Sequence, residues 1–359
     1  MCPDPYMQSE WLLTANPILF WQAEAIQSMG VQIIGLLPWQ ARNPLTWQKM
    51  NLDVVHLHWP AGVFNFRVRR EPLQKIIPHA FVQKWTQYRL DQWEGALRKT
   101  GVPLVWEVHD TLSHHAQGYN YAADFTLHER FYQLASGVLL HGESCYRPVQ
   151  DLYGSEKIHV TASLGSYRGL YGPPISRAEA LKALGFSCSG KIFSYLGTAR
   201  PMRNARASVV AFMKQAGHED LLLVAGAGVE KYLPDALDSR IRIHPGVISP
   251  ALFHQFVCAS DFIINDAKHY MTSAILRVAM SYACPVIAYP YGSALDMAKG
   301  AAIWIPDGLD GLDTAIRVAL QMSEDDREKL SSAAAINEQL FSWQACGEAC
   351  LRMYQRVLE

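Results

Sequence analysis

The sequence has no paired-cysteine motif. Its seven cysteines, Cys2, Cys145, Cys188, Cys258, Cys284, Cys346 and Cys350, are odd in number, scattered, and contain no C-x-x-C spacing. This argues against a disulfide framework and for reduced, buried thiols in the cytoplasm. No apolar run approaches the roughly 18–20 residues of a membrane span, so membrane contact is expected to be peripheral. The opening MCPDPYMQSEW lacks the basic-then-apolar order of a signal peptide. An excess of either charge is missing too. The formal net charge is -1, which leaves no global electrostatic case for nucleic acid. There is no tandem repeat and no low-complexity tract.

What is present is a hydrophobic majority patterned as α/β. Half of the 359 residues are hydrophobic and 18% are charged, as in a well-buried globular chain too long for one comfortable core. Apolar strands alternate with helical stretches, the rhythm of parallel sheets covered on both faces. In the first half, strands are expected at Val31–Leu37, Val54–His58, Leu104–His109 and Gly137–His141, with helices about Ile18–Met29 and Pro72–Thr100. The Gly-, Ser-, Tyr- and Pro-rich stretch Gly154–Pro174 reads as turns and linker. Alternation then restarts, with strands at Lys191–Leu196, Asp220–Ala225, Ile241–His244, Asp261–Asn265, Pro285–Ala288 and Ala302–Ile305. Helices are expected at Asn204–Gln215, Pro250–Cys258, Ser273–Tyr282, Gly311–Met322 and Trp343–Leu358. The expected architecture is two Rossmann-like domains facing each other across a cleft, residues 1–165 and 166–359, the second carrying the C-terminal helix. Ligands in such sheets bind at the carboxyl ends of the strands.

Two loops of the second half suit an anion. Gly197 turns the chain after a strand, and Arg200 and Arg203 follow as guanidinium clamps for a diphosphate. Asn204 is the expected N-cap. In the second loop, Lys268 precedes Thr272 and Ser273, which sit where a helix begins and where free amides and the helix dipole favour negative charge. Solvated arginines and ordinary capping are the bland alternatives. In the first half, His109 and Asp110 end a buried strand and are candidates for a general base. Glu107 shares the facing of His109. His58 and Trp59, with His114 and His115, are read as acceptor-lining groups, the indole offering an apolar face to a sugar ring. His56 and His58 share one face of a strand, but no D-x-D motif follows a donor-half strand, and no metal is expected. Between Ala61 and Thr100, Arg67, Arg69, Arg70, Lys75, Lys84, Arg89, Arg98 and Lys99 face only three acids, with Phe64, Phe66, Phe81, Trp85, Tyr88 and Trp93 interleaved. Such a stretch suits an anionic leaflet; an ordinary amphipathic helix is the alternative.

These motifs resemble GT-B glycosyltransferases of the family 4-like clan. GTARPMRN with Ala211-Phe212 is similar to that clan's "G-x-x-R-P-x-K-N" loop and helix, and TSAILRVAMSYACPVIAYP to its "T-S-G…P-V-I-A" segment. His56-Leu-His-Trp-Pro60, Trp106-Glu-Val-His-Asp110, Gly165-Ser-Tyr167 and Tyr171 resemble the xanthan-type β-mannosyltransferase group, glycosyltransferase family 94. The resemblance implies transfer of mannose from GDP-mannose, or of another sugar from a UDP-sugar. The implied acceptor is a polyprenyl-diphosphate-linked oligosaccharide at the inner leaflet, during exopolysaccharide assembly, with no bound metal or other cofactor. The glutamates of retaining family 4 enzymes are replaced by Tyr270 and Val278, which leans toward inversion. Ala274 and Asp110 also depart from the pattern. A nucleotide-sugar epimerase of similar build and a non-catalytic nucleotide-sugar binder are the competing readings.

Overall fold

The computed structural model describes residues 17–36, 43–64, 79–112, 121–200 and 203–359. The chain forms two compact units, Met1–Ser163 with Trp343–Glu359, and Leu164–Ser342.

The first unit runs α1 (Pro17–Gln27), β1 (Val55–Leu57), α2 (His79–Thr100), β2 (Leu104–Val108), α3 (Tyr121–Leu134), β3 (Gly137–Leu140), α4 (Tyr146–Tyr153) and β4 (Ile158–Thr161). The four strands form a parallel sheet in the order β1-β2-β3-β4. Every residue of β2 and β3 is buried, so these strands carry no polar–apolar alternation. Two expectations fail here. Residues 31–36 join no ladder, although their apolar content resembles a strand; Leu37 lies outside the described residues. The sheet instead gains β4 from inside the stretch read as linker. Its IHVT is short and partly exposed, so the flanking turn residues masked it.

The second unit runs α5 (Arg177–Leu184), β5 (Ile192–Leu196), α6 (Ala205–Gln215), β6 (Leu221–Gly226), β7 (Ile241–Pro245), α7 (Pro250–Ala259), β8 (Phe262–Asn265), α8 (Ala274–Ser281), β9 (Val286–Ala288), β10 (Ala302–Trp304), α9 (Gly311–Gln321) and α10 (Glu324–Leu340). Its parallel sheet has the order β10-β9-β8-β5-β6-β7. The helix starts follow side-chain chemistry. Ser176 and Glu179 close a capping box on α5, Asn204 accepts from the Ala207 amide on α6, and Ser249 caps α7 ahead of Pro250. Phe212 of α6 is fully buried against Phe193, with ring centroids 5.5 Å apart.

The segment after residue 163 is packed rather than loose. The Tyr167 amide donates to Ser281 Oγ (3.0 Å), and Tyr171 stacks on Phe253. The last helix, α11 (Trp343–Leu358), departs from its expected place in the second domain. It packs in the first unit with Ile26, Val105, Leu139 and Ala162 through Cys346, Ala349, Cys350 and Met353. Small residues allow this: a Cβ on Gly347 would press on Ala25 of α1. Sequence order gave no hint of this return. Among the described residues, no helix is long and apolar enough to cross a membrane, and all six cysteines are free.

Candidate functional site

The carboxyl edge of the first sheet carries a row of histidines. His58, His109 and His141 are each the first residue beyond β1, β2 and β3, on adjacent parallel strands. His58 Nδ1 lies 3.0 Å from His109 Nε2, and His109 Nδ1 lies 3.2 Å from His141 Nε2. His141 Nδ1 donates to the carbonyl of Ala162, the first residue beyond β4, at 3.0 Å. Beneath the row sits Glu107, whose exposure is 0%. Its Oε1 lies 3.3 Å from His58 Nδ1, His109 Nε2 and His141 Nε2, and it makes no hydrogen bond. Its Oε2 accepts from Gln22 of α1 at 2.5 Å and faces His56 Nε2 at 3.3 Å. Tyr354 of α11 meets His56 Nδ1 at 2.7 Å.

The electrostatics follow from burial. Dehydration drives the His58 imidazole down to about 3 and His141 to about 4, and also lowers His56, in each case against the attraction of Glu107. Burial alone pushes the Glu107 carboxyl up, but His58, His109 and His56 outweigh it and hold the group well below the usual range. The site is therefore a dry carboxylate beside the His56, His58 and His141 rings, whose protonation burial opposes, with no lysine or arginine paired to it among the described residues.

Glu107 with His56 and His58, or with His109 and His141, brings ligand atoms close enough for a divalent ion. The ring pairing fits that role poorly. Both nitrogens of His109 face other imidazole nitrogens, whereas a single ion shared with His58 and His141 needs one nitrogen from each ring.

Of the residues picked out in the first half, His58 and His109 meet in this row, and Trp59 stacks on His109 at 4.3 Å. Asp110 is half-buried at the exit of β2. His114 and His115 lie outside the described residues. His141 and Gln22 escaped the sequence reading. The position of His141 directly after an apolar strand was a usable signal; Gln22 offered none. Of the basic stretch, Arg67, Arg69, Arg70 and Lys75 lie outside the described residues, and Trp93 is a core residue packed on Trp47 and Phe131. Phe81 and Tyr88 are exposed on α2, and Arg89 covers Trp85 at 4.7 Å.

In the second unit, Gly197 leaves β5 with φ +109, and Gly226 leaves the neighbouring β6 with φ +146. A Cβ on Gly226 would strike the Gly197 backbone, so both glycines serve a close approach of two loops. Arg203 is buried. Its Nη1 donates to the Leu196 carbonyl at 2.8 Å, its Nε lies 3.5 Å from Asp266, and its guanidinium lies 4.2 Å over the Tyr195 ring. Nε and Nη2 make no hydrogen bond. Asp266 also accepts from Tyr195 and Ser208. Next to it, Asn265 is met by Ser273 Oγ at 3.5 Å, while Thr272 Oγ1 is buried without a hydrogen bond. The end of β8 thus links Arg203 with the Thr272-Ser273 loop. Arg200 is half-buried. Lys268 turns to Asp307 at 2.9 Å.

No family model and no curated protein sequence matches this chain. Solved structures do. Sucrose-phosphate synthase from Thermosynechococcus elongatus matches with a TM-score of 0.62 at 15% identity, covering 78% of this chain and 80% of that one. Anabaena Alr3699/HepE in complex with UDP and glucose matches with a TM-score of 0.61 at 17% identity, covering 81% and 84%. The UDP-forming α,α-trehalose-phosphate synthase from Burkholderia xenovorans, in complex with glucose-6-phosphate, matches with a TM-score of 0.61 at 11% identity, covering 89% and 77%. The likeness is one of architecture, two parallel-sheet Rossmann-like units, and the chain has the GT-B fold.

Proposed function

We propose that this chain is a glycosyltransferase that moves a sugar from a nucleoside diphosphate donor to a hydroxyl group, with inversion at the anomeric carbon. The observation that carries the reading is the row of His58, His109 and His141 over Glu107, at strand ends where α/β sheets bind ligands. Inverting displacement needs a base for the acceptor proton, and a buried carboxylate 3.3 Å from these rings is placed to stabilise the imidazolium formed when one of them takes it. The base belongs to the His58–His109–His141 row or is Asp110 beside it, and Trp59 offers its ring to the acceptor sugar. Support on the donor side comes from Arg203 and Thr272, whose buried Nη2 and Oγ1 lack partners that a diphosphate can supply. Tyr270 and Val278, in place of the retaining glutamates, favour inversion.

Finer features rest on resemblance. Mannose from GDP-mannose is the favoured transfer. UDP bound to HepE and the UDP-forming name of the Burkholderia synthase give UDP-sugars equal standing in a first screen. The acceptor is proposed as a polyprenyl-diphosphate-linked glycan on the cytoplasmic face of the membrane, in exopolysaccharide assembly, with α2 peripheral on that face. Transfer is proposed to need no metal, Arg203 neutralising the leaving diphosphate. Calorimetry with GDP, UDP and their sugars tests the donor claim. Micromolar binding of one nucleotide, weakened in Arg203→Ala, is expected; no binding of any of them contradicts the reading.

A further inference from the structure

We infer that His58, His109 and His141 form a directed proton relay along the sheet edge, open at His58 Nε2 and backed by Glu107 as counter-ion. The inference rests on the transferase reading for its substrate, a sugar hydroxyl, but on geometry alone for its direction.

The direction follows from one fixed end. A carbonyl only accepts, so the 3.0 Å contact with Ala162 makes His141 Nδ1 the protonated nitrogen. In the neutral ring, His141 Nε2 is then an acceptor, and its neighbour His109 Nδ1 at 3.2 Å must carry a hydrogen. His109 Nε2 is in turn an acceptor, and His58 Nδ1 at 3.0 Å supplies its hydrogen. Three rings therefore share one tautomer, each bonded to the next across neighbouring strands. The lone pair left over is His58 Nε2. His58, with His56, Gln22 and Tyr354, lines a cavity of about 550 Å³ in the first unit.

Proton transfer along this line balances without a further reactant. As the acceptor oxygen bonds to the anomeric carbon and the nucleoside diphosphate leaves with its electron pair, the hydroxyl proton goes to His58 Nε2. The Nδ1 proton of His58 moves to His109 Nε2, and that of His109 moves to His141 Nε2. The added charge then rests on His141, 3.3 Å from Glu107 Oε1, which has no hydrogen bond to lose. Other groups around the anion are the neutral amide of Gln22, His56, and the thiols of Cys346 and Cys350, each thiol approached by Gln22. Glu107 and His141 are positioning residues, since they act through His109 and His58.

Long-range ¹H–¹⁵N NMR of the histidine-labelled wild-type chain, without substrate, tests the relay directly. Neutral Nδ1–H rings at His58, His109 and His141 are expected. An Nε2–H tautomer at His109 overturns the inference, as does one equivalent of zinc copurifying with the chain and ligated by these rings. Kinetics tests its use. His141→Gln keeps an acceptor for His109 but cannot hold the proton. Its kcat should fall about tenfold or more with KM nearly unchanged, within the range of general-base effects. The curved dependence of wild-type kcat on D₂O fraction should become linear. An unchanged kcat and a linear wild-type plot overturn the relay. Failure of the transferase reading shows separately, as correct tautomers in a chain that turns over no nucleotide sugar.

Discussion

Arg277 in the second unit and Glu107 in the first are both completely buried, and the two charges are treated in opposite ways. In the second unit, Arg277 of α8 has 0% exposure and donates to the carbonyls of Gly165, Glu338 and Phe341 at 3.0–3.1 Å and to Glu338 Oε2 at 2.8 Å. Its cation is permanent, and so many acceptors hold it in one geometry. In the first unit, Glu107 is equally buried, but every ring around it can gain or lose a proton, and one of its oxygens is left without a hydrogen bond. A saturated, permanent charge fixes structure. An unsaturated charge among titratable groups is equipped for chemistry.

The largest expected effect breaks the structural side. Arg277→Met takes from Glu338 its nearer cation, leaving Arg168 at 3.8 Å, and removes the donor to the carbonyls of Gly165, Asn337, Glu338 and Phe341, at a cost of ~3–5 kcal/mol. Hydrogen exchange of peptides from α8 and α10 should accelerate by the corresponding factor. Glu107→Gln should cost less stability while removing more activity, and equal losses of stability would erase the contrast.

Arg203 lies between the two cases. It is tied to Leu196 and Asp266 but keeps Nη2 unpaired. Arg203→Ala should weaken nucleotide affinity by ~1.5–3 kcal/mol, as for a charged hydrogen bond, and should also destabilise the β5 end. Unchanged affinity in a folded variant removes it from the donor site.

Acid sharpens the comparison. The folded values of about 3 for His58 and about 4 for His141 lie below the unfolded value of 6.5, so the unfolded chain takes up protons first. Their contribution is complete above pH 6.5 and is lost as pH falls toward 4 and then 3, by up to about 1.4 kcal/mol per pH unit for each ring. Glu107, held below the usual carboxylate range, adds no loss until lower pH. Exchange in β1–β3 should accelerate between pH 6.5 and 4, before exchange around Arg277. The reverse order contradicts the assigned charge states. The smallest effect concerns α2: removing Lys84 or Arg89 should weaken binding to anionic vesicles by ~1 kcal/mol each, and salt-independent binding returns α2 to an ordinary amphipathic helix.

Much of this was legible in the sequence because local chemistry and tertiary structure agree. The strand ends at His58 and His109, the shared face of His56 and His58, the cap at Asn204 and the turn at Gly197 follow from period and residue type. What was hidden depends on contacts between distant segments. Gln22 and α11 reach Glu107 and the first sheet from opposite ends of the chain. Arg203 reads as a solvent-facing clamp, yet Asp266, over 60 residues away, draws it inward. β4 vanished among turn residues because a short edge strand carries little apolar signal.

The central claim, inverting transfer from a nucleotide sugar, is tested most directly by ¹H NMR of the first-formed product in the presence of a chelator. The one-bond coupling between C1 and H1, which separates the anomers of mannose as well as of glucose, should report the configuration opposite to the donor's. A product that keeps the donor's configuration contradicts direct displacement with a base in the His58–His109–His141 row.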